Sequence, residues 1–160
     1  MRTYLLLISA SVLVLDRLTK WLVIAKIPLY HEIDVIPGLF RLTHLENPGA
    51  AFSLFAETPG PWPGRLLIAF SIAAACVLAY FIWEAGDRLG PLTVCLALFL
   101  GGTLGNLWDR ILHGRVTDFL DFYVGAHHWP PFNVADSAMV VAATLLAGQV
   151  LFGSRKEHAS

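Results

Sequence analysis

Residues 100–136 read LGGTLGNLWDRILHGRVTDFLDFYVGAHHWPPFNVAD. The stretch opens on small and apolar residues, with Gly101 and Gly105 in a small-xxx-small pattern that lets helices approach closely. Polar groups then follow at Asn106, Asp109, Arg110, Asp118, Asp121, Asn133 and Asp136. They gather at the mouths of two segments that are otherwise apolar enough to lie in lipid. Ionisable side chains are expensive inside a bilayer, so such a cluster marks a functional site by default. The rest of the chain reads as a hydrophobic cage around it.

Working outward, uncharged runs on either side set the architecture. Leu89 to Trp108 and Leu66 to Trp83 carry no charge, and a membrane helix needs ~17–25 residues. The spans predicted are about 4–26, 65–84, 89–110 and 134–153, with a region over about 27–64 that lies outside the bilayer, on the side that the resemblance given below makes extracytoplasmic. The fold class expected is an all-α integral membrane protein: four transmembrane helices and a small β-containing platform or flap between the first two. All 160 residues form a single membrane-embedded domain in this reading. Composition agrees: 56% of residues are hydrophobic and 14% charged, against roughly 25% charged in a soluble domain. Mean hydropathy is +0.63. The net charge of −1 gives no reason to expect nucleic acid.

The first helix carries its charges in its second half. Asp16 and Lys20 stand i,i+4 with the acid first, the favourable order for a helical ion pair. A salt bridge pinning this helix to the bundle is one reading, and a direct substrate role the other. Between the first two helices, prolines and acids exclude a membrane span. Phe40, Leu42 and His44 alternate with Arg41, Thr43 and Leu45, which suggests a short strand over 39–45. Asn47-Pro48-Gly49 reads as a turn, and Ala50 to Phe55 as part of a lipid-surface flap. Trp21, Trp62, Trp108 and Trp129 fall near one set of helix mouths and Trp83 near the other, as interfacial tryptophans do. The basic residues divide between both sides and do not orient the chain. Cys76 and Cys95 lie inside apolar segments and read as buried free thiols.

Four aspartates compete for chemistry. Asp109 adjoins Arg110 and suits an ion pair or a helix end. Asp121 is expected to face water or cap a turn. Asp118 and Asp136 flank a loop containing Gly125, Pro130 and Pro131, and a helix-loop-helix hairpin can bring both to one depth. Two close carboxylates do not both ionise readily, so such a pair shares a proton. The ionised member takes a proton from water, and the protonated one hydrogen-bonds a scissile carbonyl. Asp136 also suits a purely structural place, since an acid in the first turn of a helix is favoured by the dipole. Asn47, Asn106 and Asn133 are candidate donors to substrate backbone or to the acids. Arg110 suits a carboxylate or a phosphate headgroup. His127-His128 lacks ligand spacing, so no metal is expected; His31, His44, His113 and His158 read as solvated or interfacial.

These blocks resemble the bacterial lipoprotein signal peptidases, or type II signal peptidases. The matching residues are Asp16-x-x-x-Lys20, Asn47-Pro48-Gly49-Ala50-Ala51-Phe52, Gly102 to Arg110, Val116-Thr117-Asp118-Phe119 and Phe132-Asn133-Val134-Ala135-Asp136. The resemblance implies an aspartic endopeptidase without cofactor. It would remove the signal peptide from diacylglyceryl-modified prolipoproteins, on the amino side of the lipidated cysteine. Asp118 and Asp136 become its catalytic pair, and Asn47, Gly49, Asn106, Arg110 and Asn133 its supporting or substrate-binding residues. Asp16, Lys20 and Asp109 take structural polar roles. The partners implied are lipid-modified prolipoproteins and membrane lipids, and nothing requires more than a monomer. The family places both termini in the cytoplasm, with the site near the outer leaflet of the bacterial inner membrane. The competing readings are a small intramembrane proton or ion carrier and a non-catalytic assembly protein built on the glycine seam.

Overall fold

The computed structural model describes residues 2–49, 62–85 and 90–153. Four helices, α1 (Arg2–Lys26), α2 (Trp62–Glu84), α3 (Pro91–His113) and α4 (Val134–Gly153), form the membrane bundle. At ~1.5 Å per residue, each is long enough to cross a hydrocarbon core ~30 Å thick. By length and composition, α2, α3 and α4 are apolar enough to span. The remaining helix, α1, carries Asp16, Arg17 and Lys20, and it tolerates Asp16 and Lys20 because both are wholly buried against the bundle. Tyr4, Leu7, Leu15, Leu18 and Leu22 of α1 face outward, as lipid contact requires.

The central helix is α3, which packs on all three others. Its glycines make this possible. A Cβ on Gly101 would lie 2.7 Å from the Ser9 carbonyl of α1, and one on Gly102 would lie 2.5 Å from the Ala135 carbonyl of α4. Gly105 faces both neighbours at once: a Cβ there would stand 2.8 Å from Asp16 Oδ2 and 3.1 Å from Ala135 Cβ. The small-xxx-small pattern is therefore an internal seam that draws α1 and α4 onto α3. Ala97, Ala135 and Ala142 continue it, all fully buried, and Ser9 Oγ donates across it to the Ala97 carbonyl at 2.8 Å.

A sheet sits at one end of the bundle. Strands β1 (Glu32–Ile36) and β2 (Phe40–Asn47) come from the α1–α2 connection, and β3 (Val116–Val124) and β4 (His127–His128) from the α3–α4 connection. All pair antiparallel with neighbours in chain order, β1-β2-β3-β4. The short strand expected over 39–45 is present as β2. The platform is larger than expected, because the segment holding Asp118 is a nine-residue strand and not a loop. Its place follows from the end of α3. Gly114 adopts φ 72, and its N–H returns to the Arg110 carbonyl at 3.1 Å. This left-handed cap stops the helix, and β3 starts two residues later. Val23, Ile27 and Phe119 form the apolar joint between α1 and the sheet.

Three expectations need correction. Asp121 does not face water: it is 2% exposed, bonded to Arg41 Nε at 2.6 Å and to His128 Nδ1 at 3.1 Å. His44 is buried as well, with Nδ1 2.8 Å from the Ile27 carbonyl oxygen. Cys95 is buried but Cys76 is exposed on the outer side of α2, where lipid accepts a thiol as readily as a core does. The expected flap residues Ala50 to Phe55 and His158 lie outside the described residues.

Candidate active site

Asp136 enters the site as part of a helix start. Asn133 is the N-cap of α4: its Oδ1 accepts from the Asp136 backbone N–H at 3.0 Å. In return, Asp136 Oδ2 accepts from the Asn133 backbone N–H at 3.2 Å. This reciprocal pair is a capping box with aspartate as its acid. The Asn133 side chain then turns to the other carboxylate, donating from Nδ2 to Asp118 Oδ1 at 2.8 Å. One fully buried asparagine therefore holds both acids, one through its main chain and one through its side chain.

Two more asparagines complete the frame. Asn106 on α3 donates from Nδ2 to Asp136 Oδ1 at 2.7 Å. Asn47 at the end of β2 donates from Nδ2 to Asp118 Oδ2 at 3.1 Å. Asn47 is itself oriented by the turn that follows, since its Oδ1 accepts from the Gly49 N–H at 3.0 Å. Gly49 has φ 114, and a Cβ there would run into the Leu67 side chain of α2. Gly49 thus serves the site by geometry, letting the turn lie against α2.

The electrostatics separate the four aspartates. Burial, and then the neighbouring Asp136 charge, push the Asp118 carboxyl up to about 7. The hydrogen bonds from Asn47 and Asn133 and the charge of Lys20 oppose that rise. Asp118 therefore holds a proton through much of the neutral range while sitting beside a second acid. Asp109 is ion-paired with Lys20 Nζ at 2.7 Å and with Arg17; its cation is not the adjoining Arg110. Asp121 is ion-paired with Arg41. Asp118 and Asp136 are ion-paired with none of the described residues. Arg110 is half-buried within electrostatic reach of Asp136, Asp118 and Asp109. Its buried Nε has no hydrogen-bond partner among the described residues.

Below the acids lies a dry charge cluster. Lys20 and Asp16 are both fully buried, with Nζ 2.8 Å from Asp16 Oδ2. The other oxygen of Asp16 accepts from the Ala135 N–H in the first turn of α4 at 3.0 Å. Asp16 thereby ties α1 to the start of α4. Lys20 also reaches Asn106 Oδ1 at 3.1 Å. Arg17, Arg41 and His128 were not foreseen as ion-pair partners. Arg17 has a sequence signal in hindsight, being one turn before Trp21 yet beside Asp16. The Arg41–Asp121 pair has none without the register that sets those residues opposite each other on β2 and β3.

Similarity to known proteins extends along nearly the whole chain. The family model described as "Signal peptidase (SPase) II" matches residues 8–152. A lipoprotein signal peptidase of Sulfurihydrogenibium sp. (strain YO3AOP1) is 43% identical over 150 residues, covering 93% of this chain and 91% of the relative. One of Burkholderia mallei (strain SAVP1) is 46% identical over 140 residues, covering 87% and 82%. Two solved bacterial membrane enzyme structures superpose with TM-scores of 0.80 and 0.81 at 29% and 27% identity. The first covers 93% of this chain and 88% of its own, and the second 94% of each.

Proposed function

The chain belongs to the signal peptidase II family of multi-pass inner-membrane hydrolases, and from that premise we propose that Asp118 and Asp136 are its catalytic pair. The substrate is a prolipoprotein already carrying diacylglycerol on its cysteine, cut on the amino side of that residue. The observation that carries the reading is the single asparagine, Asn133, holding two carboxylates that are ion-paired with none of the described residues.

The chemistry follows from one shared proton. The ionised carboxylate takes a proton from a water as its oxygen attacks the scissile carbonyl carbon. The protonated carboxyl hydrogen-bonds the carbonyl oxygen and stabilises the charge that develops there. The C–N bond then breaks, and the new amine of the lipidated cysteine leaves with a proton from the pair. Asn47 and Arg110 border this place from β2 and α3. They suit substrate backbone carbonyls and the anionic or ester oxygens of a lipid. Both chain ends lie on the cytoplasmic side and the site near the outer leaflet, where an exported lipoprotein precursor presents its modified cysteine.

The test is cleavage of a diacylglyceryl-modified prolipoprotein in lipid or detergent, followed by gel shift. Cleavage that persists with chelator and disappears with the unlipidated precursor is the expected result. No cleavage by folded protein would sink the proposal. The pH dependence is a second check. Activity needs one proton on the pair, and Asp118 loses its proton as pH rises through about 7. We expect kcat/KM to fall by ~10-fold per pH unit on that side, with apparent values belonging to the pair and not to one residue. A rate that stays flat from pH 6 to 9 would contradict it.

A further inference from the structure

We propose that Lys20 is a positioning residue for this reaction: its ammonium fixes the amide of Asn106 so that the NH2 end stays on Asp136. The inference rests on the Asp118–Asp136 reading above. An ammonium has three N–H groups. In Lys20 the ammonium is ion-paired with Asp16 Oδ2 at 2.8 Å and Asp109 Oδ2 at 2.7 Å, and it donates a hydrogen bond to Asn106 Oδ1 at 3.1 Å. Two carboxylates already balance the charge, so the third contact serves something other than neutralisation. A reversed Asn106 amide would set its NH2 against the ammonium and its oxygen against the Asp136 carboxylate. Both contacts would be repulsive, and the observed orientation removes both.

The effect reaches both acids. A cation on the Asn106 oxygen polarises the amide and strengthens the N–H bond it donates to Asp136 at 2.7 Å. The same oxygen accepts from Asn133 Nδ2 at 3.2 Å, the group that also binds Asp118. Asp136 thus accepts from the Asn106 side-chain N–H and the Asn133 backbone N–H at the start of α4. The charged groups that act on the pair are Lys20 on α1, Arg110 on α3, and each acid on the other. Among these, Lys20 is hydrogen-bonded to Asn106, an amide that in turn touches one of the acids.

The test separates positioning from packing by keeping charge balanced. Asp16→Asn leaves Lys20 on Asn106; we expect kcat within ~3-fold of wild type. Asp16→Asn with Lys20→Met removes the Lys20 contacts to Asn106 and Asp109 together, while Asp109 keeps its pair with Arg17. We expect kcat to fall ~30-fold with KM nearly constant. On an Asn106→Ala background, the same double change is expected to alter kcat by less than ~3-fold. A further ~30-fold loss on that background, or an effect confined to KM, would overturn the proposal. If the double variant loses its thermal transition, Asp16→Asn decides: a ~30-fold loss there, with Lys20 still in place, overturns it, and retained activity supports it. Asp118→Asn and Asp136→Asn run in parallel. Wild-type cleavage by either means the dyad reading itself has failed, whereas loss in both with additive Lys20 effects means only the positioning role has.

Discussion

Asp136→Asn is expected to lower kcat by about 10³–10⁴-fold while the protein still inserts and melts as wild type does. The asparagine keeps one oxygen to accept the Asn133 N–H, so the start of α4 survives. On the proposed reading, what disappears is a member of the proton-sharing pair, and among the described residues Asp109 and Asp121 do not replace it, each being tied to arginine or lysine. Asp118→Asn is expected to lose a similar factor by a different route. Its amide still donates a hydrogen bond to a carbonyl, but it has no proton to transfer, and it presents an NH2 group to the frame donors Asn47 and Asn133. Single-turnover cleavage with a melting curve on each variant decides the matter. Activity surviving in one of them would break the pair and point to a different base.

The largest effect on stability is expected from Gly105→Leu, at about 3–5 kcal/mol. Its first carbon alone would lie 2.8 Å from Asp16 Oδ2 and 3.1 Å from Ala135 Cβ. Overpacking a seam costs ~1–3 kcal/mol. Here the displaced group is a carboxylate bonded to Lys20 and to the Ala135 N–H, so a buried ion pair is broken as well. The control is Gly148→Leu on α4, where a Cβ meets nothing within 4 Å and the change is expected to stay within ~0.5 kcal/mol. Unfolding of both variants in mixed micelles compares them directly. Equal stability would mean the seam is not a close-packed contact. A purely oligomeric role for this glycine would show instead as dissociation without loss of the melting transition.

The helices were legible because a bilayer leaves a chain few options: an uncharged run of the right length must satisfy its own backbone. Even α1 follows once its i,i+4 charges are allowed to face inward. The strand β3 was harder to see. Val116 to Val124 carries Asp118 and Asp121 where a buried strand ordinarily shows apolar residues. Each acid is admitted by partners from other elements, Asn133 and Asn47 for one, Arg41 and His128 for the other. The same reason hid the burial of Asp121 and His44. Choosing two aspartates among four required knowing which have cations, and that is a property of packing: Lys20 lies 89 residues before Asp109 in sequence and touches it. The asparagines stood out as donors, but not that one of them would serve both acids at once.

The capping box at Asn133 has a bearing on when this protein becomes dangerous to its neighbours. A protease inside a membrane is a hazard while it is being made. Here β3 and α4 are the last elements of the described chain to emerge during synthesis. Asp136 is aimed only once the first turn of α4 has formed, since the bond that orients it is the bond that begins the helix. A half-translated copy has the cage but no working blade. If Asp136 is one of the catalytic pair, the enzyme is armed only as the last described helix forms.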